Sequence, residues 1–450
     1  SYGDSPYQSF SAIAGNTHLI DFDLLTQMGL LKEADYASVN FGDDPTSVDY
    51  ERVFYARRPI LEIAVKNFLE NQSFQADFKH FEKSNRLWLD DFAEFMAIKE
   101  HFGNQALQKW DDKKAVARDP SALEKYRTML AEQIQYFKVT QYFFFKQWTE
   151  LKNYANQKGI QIIGDMPIYV AADSVEVWTK PELFQLDEER NPLFVAGVPA
   201  DQFSATGQLW GNPLYAWEEH KKQGYAWWIH RIEESFKIYD VLRIDHFKGF
   251  SDYWQVDGKA EVAKDGSWQP GPGYDLFKAV KEQLGDLPII AEDLGNIDDK
   301  ARKLLTDCNY PGMKILQFGF EDVSGESLDS PHYCIPHSIV YTGTHDNDVT
   351  NGWYNSLTEQ QQQYINDYTH RYEDESICQA MIRQLFATVS NTAIATMQDV
   401  LDLPASSRMN VPSTIGGNWQ WRMQQSDLTQ DKKDFLEKMT TLYQRANQEK

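Results

Sequence analysis

The sequence predicts an α/β fold built around a parallel β-sheet, and two observations carry that expectation. From residue 160 onward six short apolar runs recur: "IQIIGDMPI", "YDVLRIDHF", "LPIIAEDLG", "MKILQFGF", "SIVYTGTHD" and "TAIATMQDV". Each is rich in β-branched or aliphatic residues, each is followed by a loop, and helical patterns separate several of them. Strands buried on both faces read as continuous apolar runs, and their alternation with helices implies parallel pairing through right-handed crossovers. Two closures fit this pattern, an open doubly wound sheet and a (β/α)8 barrel. No Gly-x-Gly-x-x-Gly and no phosphate loop follows any run, which removes support from the nucleotide-binding open sheets. A barrel needs eight strands, and six are visible. The run "HLIDF" (18–22) is the modest candidate for a further strand in the aromatic N-terminal part.

The helices follow from apolar spacing. Residues 51–158 read as a mainly helical insertion. Within 121–158, Ile134, Phe137, Phe144, Phe145, Trp148 and Leu151 recur at helical spacings until Gly159, over a length sufficient for two helices. Trp228, Ile232, Phe236 and Tyr239 share one face, and Ile377, Met381, Leu385 and Val389 share another. In "YDLFKAVKEQLG", Asp275 is placed to cap, Leu276, Val280 and Leu284 line a face, and Gly285 ends the helix. No repeat or low-complexity tract interrupts residues 1–450, which read as one barrel domain. Residues 171–235 read as a second insertion, carrying a loop over the site.

Composition narrows the partners. The chain has 450 residues, 42% of them hydrophobic, ample for a large core. Its formal net charge of -23 repels phosphate backbones and anionic lipid, so neither nucleic acid nor membrane is an expected partner. Cys308, Cys334 and Cys378 are too few and too scattered for a disulfide framework or a zinc site. With no run of membrane-spanning length and no secretory signal, the expectation is a cytoplasmic protein, a monomer or weak homo-oligomer. Aromatic residues make up 14% of the chain, including 13 Trp, and flat aromatic faces stack on sugar rings, which favours a carbohydrate ligand. The chain opens at Ser1 without Met, which reads as a truncated start.

The runs end in acids: Asp165, Asp245, Glu292, Asp346 and Asp399. Parallel strands share one carboxyl edge, where active sites of such folds are built. Several carboxylates converging there repel one another, an arrangement that costs stability unless chemistry uses it. Paired carboxylates without a metal motif suit glycoside cleavage, which needs one protonated and one ionised group. Arg243 and Asp245 are two apart on a strand, so both point to one face. The guanidinium favours the ionised form of Asp245, as a nucleophile requires. Glu292 has acidic sequence neighbours and no basic one, which favours the protonated form that an acid/base requires. His345 and Asp346 in "GTHDND" can hydrogen-bond sugar hydroxyls. The same segment lacks the glycine turn and terminal glutamate of a calcium loop, so no metal is expected.

"VLRIDHFKG", "AEDLG", "GTHDND" and "IIGDMPIYV" resemble the short conserved regions of the α-amylase clan. The version here is similar to the amylomaltases, the 4-α-glucanotransferases of glycoside hydrolase family 77. "GDSPYQSFSAIAGN", "GVPADQFSATGQLWGNPLY" and "GGNWQWR" narrow the match. The resemblance implies a (β/α)8 barrel and retaining transfer of α-1,4-glucan between maltooligosaccharide or starch chains, with cyclic products open and no cofactor. It implies Asp245 as nucleophile, Glu292 as acid/base and Asp346 as transition-state stabiliser, with the first two carboxyls about 5 to 6 Å apart. Arg243 and His345 fall on flanking positions around the donor sugar, Asp165 on the first clan motif as a substrate-binding residue, and Tyr2 and Tyr7 on tyrosines near the sugar sites. Asn418 belongs to the "GGNWQWR" motif and Trp210 to the tip of a lid formed by 197–215. Family members carry roughly fifty further residues at the start, supplying the first two strands of the barrel. The competing readings are an amylase-like hydrolase and an inactive glucan-binding fragment.

Overall fold

The computed structural model describes residues 2–200, 206–295 and 297–446. The chain divides into two compact units, one made of Ser1–Asp43 and Asp49–Ile289, the other of Asp44–Val48 and Ile290–Lys450.

The first unit begins with helical segments. The expected strand at 18–22 is not one: Thr17–Leu19 is a single helical turn and Phe22–Gln27 an α-helix. Two caps decide this. Asn16 accepts the His18 N–H and Asp21 accepts the Leu24 N–H at 2.9 Å, and side-chain caps of this kind outweigh one β-branched residue. The helices Tyr50–Glu70, Arg86–His101, Pro120–Met129 and Ala131–Gln157 follow. The stretch 121–158 is thus two helices, broken at Leu130. Phe68, at no exposure, packs its ring 5.4 Å from Phe78 of the short helix Gln75–Ser84 and 5.2 Å from both Tyr142 and Phe143, which knits the helices Tyr50–Glu70, Gln75–Ser84 and Ala131–Gln157 together.

Strand β1 (Ile163–Met166) pairs in parallel with β4 (Val241–Ile244), in a register that sets Asp165 opposite Arg243. β7 (Ile289–Ala291) lies on the other side of β4, and the chain passes from the first unit to the second within it. A separate antiparallel sheet, in the order β3-β2-β5-β6, is formed by β2 (Phe194–Val198), β3 (Gln208–Pro213), β5 (Asp252–Asp257) and β6 (Ser267–Pro270). The sequence did not announce this sheet. The helix Ala226–Ile238 buries Trp228 and Ile232, as its periodicity predicts. The helix Tyr274–Leu284 also forms, but its cap position is Gly273. Asp275 lies within the first turn and pairs with Lys221 at 2.8 Å instead of capping.

In the second unit β8 (Gly312–Ile315), β9 (Ser338–Tyr341) and β10 (Thr392–Ile394) form a parallel sheet with β9 at its centre, all four of its residues buried. All six apolar runs therefore contain strands. Ile377, Met381 and Leu385 of the helix Ile377–Ala387 pack with Leu316, Phe320, Val340 and Trp353. Val389, expected on that face, lies beyond the helix and is 60% exposed, because the helix stops at Thr388. Among the described residues no helix is long and apolar enough to cross a membrane.

Candidate active site

In the first unit Asp245 follows β4 directly, its N–H donating to the Met166 carbonyl at 3.0 Å. Strand period two puts Arg243 and Asp245 on one face, and the parallel register adds Asp165 from β1. A single nitrogen of Arg243, Nη1, reaches Asp165 Oδ1 at 2.6 Å, Asp165 Oδ2 at 2.7 Å and Asp245 Oδ1 at 3.0 Å. The guanidinium is buried while both carboxylates keep partial contact with solvent.

Tyr7 completes the group, its hydroxyl donating to Asp165 Oδ2 at 2.6 Å. Burial, together with the charges of Asp165 and Asp245, pushes the phenol well above its ordinary range, so Tyr7 stays a proton donor at any working pH. The segment bearing Tyr7 is anchored from below by Glu176, a buried carboxylate that accepts the Ala12 N–H at 2.8 Å. The turn after β1 is held by buried Arg231, which donates to the carbonyls of Pro167 at 2.6 Å and Ile168 at 3.1 Å. Neither anchor was found from sequence. Arg231, a charge on the face of a helix that also buries Trp228 and Ile232, was the available signal.

Trp210 is not at a swinging loop tip. It lies in β3, and its neighbour Asn212 accepts from the Gln8 amide at 3.1 Å while donating to the Val170 carbonyl at 2.9 Å. Its ring stands edge-on to His246 at 4.9 Å and tilted to Tyr169 at 6.3 Å. Residues 201–205 of the expected lid lie outside the described residues. His246 adopts a left-handed backbone, φ 46°, that re-aims the chain after the strand. Burial and the Lys248 charge push its imidazole down to about 4, so it is neutral in neutral solution.

In the second unit Glu292 follows β7 and accepts the Leu294 N–H at 2.9 Å on Oε1. Its neighbour Asp293 accepts the Met313 N–H at 2.7 Å, tying the segment to β8. Gly312 makes that approach possible, since a Cβ there would stand 2.4 Å from Asp293 Oδ2. Asp346, in the loop after β9, is held by groups far along the chain. The Asn410 amide donates to its Oδ1 at 2.6 Å, and Arg408 donates to its carbonyl at 2.7 Å. His345 Nε2 lies 3.4 Å from Asp346 Oδ2, and the Trp419 ring packs 5.3 Å from the imidazole. Asn418 is buried and spends its side chain on its own loop, accepting from Val411 N–H at 3.0 Å and donating to Thr414 Oγ1 at 3.0 Å.

Asp399 is not presented at a strand end as its sequence position suggests. It is 2% exposed and accepts from the Thr342 hydroxyl at 2.6 Å and the Thr350 N–H at 2.8 Å, a fastening of the fold. The side chain of Tyr2 lies outside what is described. Among the described residues, His230, Glu233 and Glu234 bring ligand atoms within 4.8 Å of one another, but the Lys237 ammonium already pairs with Glu234 at 2.5 Å.

The sequence model for the glycoside hydrolase family 77 4-α-glucanotransferases matches residues 1–429. A 4-α-glucanotransferase of Streptococcus pneumoniae is 54% identical over 449 residues, which cover 100% of this chain and 88% of that protein. The 4-α-glucanotransferase of Thermus thermophilus is 41% identical over 437 residues, covering 95% of this chain and 86% of its own. The structure of amylomaltase from Streptococcus agalactiae in complex with acarbose matches with a TM-score of 0.98 at 59% identity, covering 99% of this chain and 90% of that one.

Proposed function

This chain belongs to glycoside hydrolase family 77, the 4-α-glucanotransferases, with the (β/α)8-barrel fold class of that family, and from that premise we propose how its own side chains carry out glucan transfer. The reaction moves a segment of α-1,4-glucan from one chain to another. In the first half, Asp245 Oδ attacks the anomeric carbon as the glycosidic C–O bond breaks, and Glu292 gives its proton to the departing oxygen. In the second, Glu292 takes the proton of an acceptor 4-hydroxyl, whose oxygen displaces Asp245. Two inversions give retention. Asp346 stabilises the positive charge that develops at the sugar in each transition state.

The observation that carries this reading is the sharing of Arg243 Nη1 between Asp165 and Asp245. It presents Asp245 ionised and fixed, with one carboxylate oxygen engaged by the guanidinium. Trp210, stiffened by its strand rather than mobile, serves as an apolar wall that supports an acceptor sugar against water. A chain whose own distant 4-hydroxyl acts as acceptor closes into a ring, so cyclic products belong to the same chemistry.

The test is a pair of variants. Asp245→Asn should abolish the glycosyl-enzyme, while Glu292→Gln should slow both halves and retain sugar binding. A glucosyl fluoride, whose leaving group needs little protonation, should restore the first half in Glu292→Gln and not in Asp245→Asn. Ordinary turnover of maltotriose by Asp245→Asn would overturn the assignment. For wild type, release of glucose without a ladder of longer oligosaccharides would mark a hydrolase.

A further inference from the structure

Of the 13 tryptophans, all within the described residues, only Trp268 is exposed, at 44%. It stands on β6, the outer strand of the antiparallel sheet, directly across from Trp254 of β5. The two rings meet at 5.2 Å with an angle of 68°, and Trp254 is itself fixed by donating to the Ala263 carbonyl at 2.7 Å. Gly266 closes the hairpin beneath them, where a Cβ would stand 2.5 Å from Trp254 Nε1. Trp268 is therefore a firmly backed indole with much of its surface toward water.

Its position is informative. The Lys248 ammonium stands over the Trp268 ring, 4.8 Å from its centroid. Lys248 is two residues beyond His246, whose ring meets Trp210 at 4.9 Å, and three beyond Asp245. One short segment leaving the nucleophile strand thus touches Trp210 near its start and Trp268 near its end. The register sets Trp268 opposite Trp254, Trp254 opposite Gly197 and Gly197 opposite Leu209, so three strand spacings, about 14 Å or several sugar rings, lie between Trp268 and the residue that precedes Trp210.

Building on the glucan-transfer reading above, we propose that Trp268 and Lys248 form an outlying glucose-binding position for α-1,4-glucan, which raises the enzyme's preference for long chains over short ones. The exposed indole takes the apolar face of a glucose ring, and the ammonium donates to its hydroxyls. A neutral polyhydroxylated chain suits this site better than an anion, given the charge of -23 on the molecule. A maltotriose engaged at Asp245 ends before reaching Trp268, whereas amylose extends to it.

The experiment compares kcat/KM for maltotriose and for long amylose in wild type, Trp268→Ala, Trp268→Phe and Lys248→Met. Stacking of this strength predicts that Trp268→Ala lowers the amylose-to-maltotriose ratio about three- to tenfold. Trp268→Phe, which keeps a flat face, should retain most of the ratio, and Lys248→Met should lose part of it. Should the alanine variant not fold, Trp268→Leu against Trp268→Phe makes the same comparison between an apolar side chain and an aromatic one. An unchanged ratio in a folded variant without the indole overturns the inference, because the pair is then only a surface cation–π contact. Failure of wild type to lengthen maltotriose would instead overturn the glucan-transfer reading, so the two failures are distinguishable.

Discussion

Arg243 joins two strand-end acids of the first unit. Nη1 contacts Asp165 and Asp245 together, while Tyr7 takes up the outer oxygen of Asp165. Half of this was legible beforehand. The Arg-x-Asp spacing fixes a shared face because strand geometry repeats every two residues, and no long-range information is needed. The partnership with Asp165 depends on the register between β1 and β4, and the hold on Asp346 comes from Asn410, 64 residues downstream, so neither follows from local pattern. A lysine at 243 carries its ammonium on a shorter, flexible stem instead of a rigid guanidinium plane, so it does not hold both acids in the same geometry. Arg243→Lys is accordingly expected to lower kcat on maltotriose about a hundredfold, in the range seen when one preorganised donor is lost. Unlike Glu292→Gln, this variant should gain nothing from a glucosyl fluoride, since its defect lies in the nucleophile. Tyr7→Phe leaves the guanidinium in place and should cost about tenfold or less on the same assay. Equal losses in the two variants would locate the important contact at the phenol rather than at the cation.

Elements were legible where one interaction range decided them. β4, β7 and β9 are buried along nearly their whole length, and such continuous apolar runs stand out whatever the distant contacts are, while β1 alternates exposed and buried residues. The antiparallel sheet was hidden for the opposite reason. β2 and β3 are interrupted by a register shift and by Gly197 and Gly211, and β6 is mostly exposed, so no alternation survives in the sequence. Asp399 shows how a strand-end acid can be read wrongly. Its position in sequence matched the others, but its carboxylate turns inward to cap the helix Thr350–Ser356, which has no side-chain cap of its own, and to receive the Thr342 hydroxyl. Removing it leaves the buried Thr350 N–H and Thr342 hydroxyl unmet, along with the weaker donor Cys378. Asp399→Ala is expected to destabilise the protein by about 2 to 4 kcal/mol, combining a lost cap with unsatisfied buried groups. Asp399→Asn keeps an acceptor for the Thr350 N–H and should recover roughly half of that loss. Thermal unfolding measures both. A drop in turnover at unchanged unfolding temperature would instead return Asp399 to the catalytic set.

At the scale of the whole molecule, acid acts in two opposing ways. Protonating carboxylates relieves the self-repulsion of a chain with a net charge of -23, which favours the compact state. Buried histidines oppose it. His220 is 1% exposed, donates from Nε2 to the Leu183 carbonyl at 3.1 Å, and is pushed down from 6.5 to about 4 by burial. In the unfolded chain it binds a proton below its ordinary pKa, whereas in the folded protein it refuses one until about pH 4. The unfolded state thus holds more protons between those limits. The stability that neutral His220 contributes is complete above pH 6.5 and is lost as the pH falls toward about 4. Integrated from pH 7 to pH 4.5, that loss is about 2 kcal/mol for this one side chain. The change in overall repulsion is common to wild type and to a variant with a non-titrating residue, so their difference isolates the histidine. His220→Gln preserves an amide donor for Leu183 and cannot titrate. Urea unfolding at pH 7 and pH 4.5 should show a wild-type free energy that changes less favourably on acidification, by about 2 kcal/mol, than that of His220→Gln. Parallel acid responses in the two proteins would mean that water reaches the imidazole and that its burial does not hold it neutral.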